Sequence, residues 1–218
     1  MKIEEILINQ ITNKNGTFDK PIIDISEIIG IIPYGSRVYD TDSENSDYDF
    51  VVIHTDETHI NVELYSDDNL DIHYIYIDAY KHLLKHHDIM AMEVFYTMTQ
   101  KEAIKSFDIE FDINLSTLRK SISSTSSNSF VKFKKKLTLE GENKYIGIKS
   151  LFHSIRIAQL GYSIAIKSRD VLYTDTYLWN RIKNDALEFN YSWEKLHEKY
   201  KPMLNEAMTE FRKSAPKE

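Results

Sequence analysis

Asp47 and Asp49 stand two residues apart in SDYDFVVI, where the polar run DTDSENS gives way to an apolar one. In an extended chain successive side chains alternate faces, so the two carboxylates share one side and Tyr48 points to the other. Carboxylates held that close repel each other unless a cation sits between them. Their oxygens suit a hard divalent ion such as Mg²⁺, completed by water and substrate phosphates. Asp71, in LDIHYIYI, is the candidate third carboxylate. It lies inside an apolar strand pattern, where a lone Asp is costly unless paired or metal-bound. Neighbouring strands at 49–54 and 70–77 would bring all three together. Each feature has a plainer reading: Asp-x-Asp also marks a turn before an exposed strand, and Asp71 follows Asn69 as a strand-entry residue would.

The elements that must hold these groups can be read from periodicity. Residues 2–11 predict a short amphipathic helix and 13–17 a turn. The run 28–33 predicts a buried strand, and residues 62–65 predict a further one between 49–54 and 70–77. The segments AYKHLLKHH and IMAMEVFYTM predict helices, followed by helices at 114–124, 127–138, 143–168, 176–188 and 192–213. The expected fold class is α+β: an N-terminal mixed sheet with flanking helices over 1–108, then a helical, bundle-like region over 109–218.

Gly35-Ser36 follows the first strand, with Ser36 the expected N-cap of a short helix. Glycine lets the backbone approach a ligand closely, and exposed amides with the Ser36 hydroxyl can cradle a phosphate. Arg37 adds a charged donor. A lone Gly-Ser is more often an ordinary turn; its weight comes from SDYD eleven residues later.

GSRVYDTDSENSDYDFVVI, from Gly35 through Ser46 and Asp47 to Ile53, resembles the signature of the DNA polymerase β-like nucleotidyltransferase superfamily. Together with LDIHYI and EVFYT it is most similar to nucleotidyltransferases associated with RNA ligases and RNA repair. The specific motifs span residues 31–77. The resemblance implies two Mg²⁺ (or Mn²⁺) ions on Asp47, Asp49 and Asp71, with nucleotide contacts from Gly35, Ser36, Arg37 and Ser46. It implies transfer of a nucleoside monophosphate from a nucleoside triphosphate (ATP among them) to a hydroxyl, with release of pyrophosphate. The chain departs from the family pattern at Asp40, where many members carry Gly. A non-catalytic nucleotide- or RNA-binding module, regulatory or antitoxin-like, is the alternative on the same fold.

The helical half supplies further candidates. Lys149, His153 and Arg156 recur at helical spacing and could grip a phosphate; Ile148, Phe152, Ile155 and Tyr162 form a separate apolar stripe. Lys132, Lys134, Lys135 and Lys136, with Phe130 and Phe133 interleaved, form a candidate phosphate or RNA contact. Solvated surface is the plain alternative for both sets. His73 shares a face with Asp71 and could support it, whereas His82, His86 and His87 are expected to be solvated or capping.

Composition narrows the classes. No cysteine is present, so disulfides, zinc-thiolate sites and cysteine nucleophiles are excluded. No apolar run approaches the ~20 residues that span a bilayer, so a cytoplasmic, membrane-free protein is expected. Residues 1–100 carry 6 Lys/Arg against 19 Asp/Glu, whereas 101–218 carry 21 against 15. An acidic half suits metal ions and a basic half suits phosphate, possible acceptors including an RNA end.

Overall fold

A computed structural model describes residues 23–44, 46–66, 69–101, 103–139, 143–172 and 174–217. The helix expected at 2–11 and the turn at 13–17 lie outside the described residues. The chain divides into two compact units, Met1–Asp112 and Ile113–Glu218.

The first unit is built on a four-stranded mixed sheet in the order β1-β2-β4-β3. The strands are β1 (Ile28–Tyr34), β2 (Tyr48–His54), β3 (Val62–Ser66) and β4 (Leu70–Tyr76). β2 runs parallel to β4 and antiparallel to β1, and β3 is antiparallel to β4. Strict alternation gives the sheet two chemically different faces. One carries Ile31, Phe50, Val52, Tyr65, Leu70, Ile72 and Tyr74, which form a buried cluster with Ile23 and Ile28. The other carries Ile32, Val51, Ile53 and Ile75, all fully buried. α1 (Ile77–Lys85) and α2 (Ile89–Gln100) pack against the strands. Tyr80 of α1 meets Phe107 edge-on, and Phe107 fills the space beside Gly30 and Ile32. That face is therefore covered over its apolar rows.

α2 begins where Asp88 accepts the Ala91 amide at 3.1 Å, a normal N-cap. His86 closes α1 by bonding the His82 carbonyl from its ring and is exposed, as its expected role requires. His87 differs: it is buried against Phe111 and takes a left-handed backbone (φ 55°), because the chain must reverse within the short link between the two helices.

The second unit is helical: α3 (Leu115–Thr138), α4 (Lys144–Ala165), α5 (Thr176–Glu188) and α6 (Trp193–Ser214). Asn114, Asp175 and Ser192 each accept an amide three residues on and so start α3, α5 and α6. The two helices expected at 114–124 and 127–138 are one. The serine-rich stretch between them is a packing surface rather than a turn. Ser126 is buried and donates to the Ser154 carbonyl of α4 at 2.8 Å, and small side chains allow that approach. α4 is the central helix, buried around most of its circumference. Tyr162, expected in its apolar stripe, is instead 37% exposed. It falls one residue beyond Gly161, which turns inward.

A Cβ on Gly161 would lie 2.8 Å from Ile122 of α3 and 3.0 Å from Phe211 of α6. Gly161→Val is therefore expected to cost about 1–3 kcal/mol by overpacking. Urea unfolding measures this; unchanged stability would show that the three helices are not in van der Waals contact there.

Candidate functional site

Register, not sequence proximity, assembles the candidate site. Asp49 is the Cα partner of Asp71 across the parallel β2–β4 pair. Tyr34 pairs with Asp49 on one side and Ser66 with Asp71 on the other. One row across the sheet thus reads Tyr34, Asp49, Asp71, Ser66, with all four side chains on the same face. In the next row, Ile32, Val51, His73, Leu64, the apolar interior of that face begins with the fully buried Ile32 and Val51. Tyr34 and Ser66 were not singled out from sequence; each acquires its place by pairing with a strand remote from its own.

Like charges directly side by side on neighbouring strands are destabilising unless something positive comes between them. Asp49 and Asp71 are both half-buried, which sharpens that demand. Among the described residues no group of three or more His, Asp or Glu side chains is placed to hold a metal ion. The donor chemistry of the pair nonetheless fits a hard dication, because both groups are oxygen ligands on one face of rigid strands. Asp47 sits just ahead of β2 rather than in it, and is exposed.

The glycine of the Gly-Ser turn is held against this pair. Gly35 has φ +75°, and a Cβ there would fall 1.9 Å from Asp49 Oδ2 and 2.5 Å from its Cγ. The Asp49 carboxylate occupies the space a side chain would need. Gly35 opens a 3-10 turn, Gly35–Tyr39, whose N-cap is Tyr34 instead of the expected Ser36. The turn stops because Asp40 is left-handed (φ 52°, ψ 35°), with the Asp40 and Thr41 amides both returning to the Ser36 carbonyl. Asp is one of the few residues other than glycine that tolerates left-handed backbone. Lys101 Nζ anchors the turn by donating to the Val38 carbonyl at 2.6 Å.

Arg37 faces the loop that follows. It donates to the carbonyls of Ser46 and Asp47, pairs with Asp42 at 3.0 Å, and stacks 3.9 Å over the Tyr48 ring. Its fork fixes the segment that leads into β2 and so the backbone that carries Asp47. Ser46 closes the same loop, its hydroxyl accepting the Ser43 amide at 2.9 Å. His73 is held below its ordinary pKa chiefly by burial, with Asp71 opposing, and meets Tyr34 edge-on.

The remaining candidates belong to the helical unit and are described within it. Arg156 is buried and donates to His153 Nδ1 at 3.1 Å, whereas Lys149 is exposed beside the Tyr145 ring. Lys132, Lys134 and Lys135 are exposed and Lys136 is half-buried. Phe130 and Phe133, read as interleaved with these lysines, are instead buried and pack on Trp193. Lys132 and Lys135 face away from them by helical spacing, whereas Lys134, one turn on from Phe130, stands over the same Trp193 ring.

The chain is thus an α+β protein with a mixed sheet and a paired-carboxylate row, followed by a helical unit. No family model matches it, and no curated protein matches it. One solved structure with a likeness is the nucleotidyltransferase-like protein from Exiguobacterium sibiricum 255-15, at 12% identity and a TM-score of 0.30. The match covers 87% of this chain and 70% of that one. So remote a likeness leaves the site to be judged on its own residues. No described helix is long and apolar enough to cross a membrane.

Three outcomes follow. Gly35→Ala should lose about 1 kcal/mol or more, since it combines positive φ with a clash on Asp49. Asp40→Val should lose about 1–2 kcal/mol while Asp40→Gly is tolerated; equal stability of the two Asp40 variants in urea would contradict the left-handed assignment. The third outcome concerns pH. Burial, with Arg156 and Lys132 adding, pushes His153 down to about 3. The unfolded chain then binds a proton that the folded one refuses, so stability falls as pH drops from about 6.5 toward 3. His153→Gln should flatten that part of the thermal-stability profile; an unchanged slope would place the histidine in water.

Proposed function

We propose that this protein is a divalent-cation-dependent nucleotidyltransferase that moves a nucleoside monophosphate from a nucleoside triphosphate to a hydroxyl acceptor, an RNA end being the favoured class. The observation that carries this reading is the in-register pair Asp49–Asp71 with the Gly35 backbone against Asp49. Asp49 and Asp71 would hold the cation, and Asp47, two residues before Asp49, would join them. The ions, Mg²⁺ or Mn²⁺, would supply electrophilic neutralisation of the triphosphate and activation of the attacking hydroxyl.

The chain's own residues then have distinct tasks. Gly35 leaves room for the Asp49 carboxylate to lie against its backbone, and the Ser36 hydroxyl, next in the chain, would donate to a phosphate. Arg37 and Ser46 set the loop ahead of β2 and so position Asp47. Asp71, at the outer carboxylate position next to Ser66, would take the proton as the acceptor oxygen bonds to the α-phosphorus. The bond from that phosphorus to the β-phosphate oxygen breaks, and pyrophosphate leaves. Lys149, one turn before the buried His153–Arg156 pair, and the run Lys132, Lys134, Lys135 and Lys136 are further phosphate or RNA contacts proposed from charge. An association with RNA repair is part of the same proposal, resting on the resemblance of residues 31–77.

The test is incubation with each α-labelled nucleoside triphosphate, Mg²⁺ or Mn²⁺ and a mixed RNA pool, beside Asp49→Asn and Asp71→Asn. Label on RNA should fall by on the order of a thousandfold in either variant, and should vanish with chelator. Near-full transfer by Asp49→Asn would sink the assignment. Cation-dependent nucleotide binding without transfer to any acceptor would move the chain to the class of non-catalytic nucleotide- or RNA-binding modules.

A further inference from the structure

One cavity in the helical unit plays no part in the carboxylate site. Its volume is about 690 Å³, and it is lined by Ser116, Arg119, Lys120, Ser123, Arg212 and Lys217. That size lies in the range of ligand sites. Four of the six lining residues are cations, two are hydroxyl donors, and among the described residues no carboxylate lines it.

The arrangement follows from helix geometry. Ser116, Arg119 or Lys120, and Ser123 recur every three or four residues and so stand on one face of α3. Arg212, near the end of α6, and Lys217, just beyond it, supply the other wall. Arg119 is fixed in place: its Nη1 donates to the carbonyls of Arg212 and Ala215 at 2.8 and 2.7 Å. These carbonyls belong to the C-terminal end of α6, where free carbonyls and the helix dipole attract a cation. One guanidinium nitrogen is thereby spent on structure, and the rest of the fork is held in a set direction. Elsewhere in the unit Lys199 is matched by Asp185 and Lys213 by Glu210. Four cations around one concavity repel each other, and a bound anion relieves that cost.

We propose that this cavity binds phosphate groups, either those of a single-stranded RNA backbone or of a free polyphosphate. The guanidiniums would take phosphate oxygens in pairs, Lys120 and Lys217 would act as point charges, and the serines would donate hydrogen bonds. The proposal is independent of nucleotidyl transfer, because it concerns binding alone.

The experiment titrates the full-length chain into a short fluorescein-labelled single-stranded RNA and follows anisotropy at several salt concentrations. The double variant Lys120→Gln/Arg212→Gln is compared with Lys167→Gln/Arg169→Gln, which removes the same charge from exposed positions outside the cavity. The cavity variant should bind about tenfold more weakly and lose about 0.7 in salt slope per phosphate contact removed. The control should stay within about twofold. Lys120→Gln alone, an exposed single change, replaces the double variant if thermal unfolding shows the latter to be misfolded. Competition with inorganic tripolyphosphate separates the sources: displacement that weakens in the cavity variant assigns free polyphosphate, and no displacement assigns the RNA strand. Equal losses in the two double variants, RNA affinity and tripolyphosphate displacement both unchanged in the cavity variant, or no binding of either anion by the native chain would overturn the proposal.

Discussion

The repulsion between Asp49 and Asp71 is the constraint around which the first unit is organised. A parallel pairing of β2 with β4 puts the two carboxylates side by side on one face, a placement that folding by itself disfavours. Gly35 gives up its side chain so that the Asp49 carboxylate can lie against the backbone. The apolar rows behind, Val51 with Ile53 and Ile75, are fully buried and keep the strands rigid. The order β1-β2-β4-β3 leaves the carboxylate row central, with a tyrosine and a serine on its flanks.

The loop between β1 and β2 is held by a second device, the Arg37 fork. A guanidinium has several donors in a plane and can satisfy separate carbonyls while stacking on a ring. Here it bonds two consecutive backbone carbonyls, a carboxylate and the Tyr48 face together. A charged residue that looks in sequence like a phosphate contact thus serves the geometry of Asp47. The helical unit repeats the lesson. Arg156 is buried against His153, and the phenylalanines among the lysines of α3 belong to the core.

Much of the architecture was legible in the chain because local periodicity encodes it. All four strands stand within a residue or two of their expected bounds, and the helices over 176–188 and 192–213 do so as well. Asp40, noted from sequence as a departure from glycine, takes a left-handed backbone (φ 52°, ψ 35°) that only the fold reveals. Where reading failed, a side chain had a remote partner. Ser126 looks like turn chemistry until its hydroxyl meets the Ser154 carbonyl of α4. His87, expected to be solvated or capping, does bond the Lys85 carbonyl at the end of α1, but Phe111 covers it.

The sequence by itself determined the residue types that can do chemistry and the element each sits on. Alternation places Asp49 and Asp71 on strand faces, and glycine at position 35 permits a bare backbone. It could not determine which aspartates become neighbours, because register between strands twenty residues apart is set by packing of both sheet faces together. Tertiary structure alone paired Asp49 with Asp71 and left Asp47 ahead of the strand, exposed. It likewise gathered Arg119, Lys120, Arg212 and Lys217 around one cavity from segments about ninety residues apart. Side-chain charge is local information, but the field that several charges make together exists only once the chain has folded.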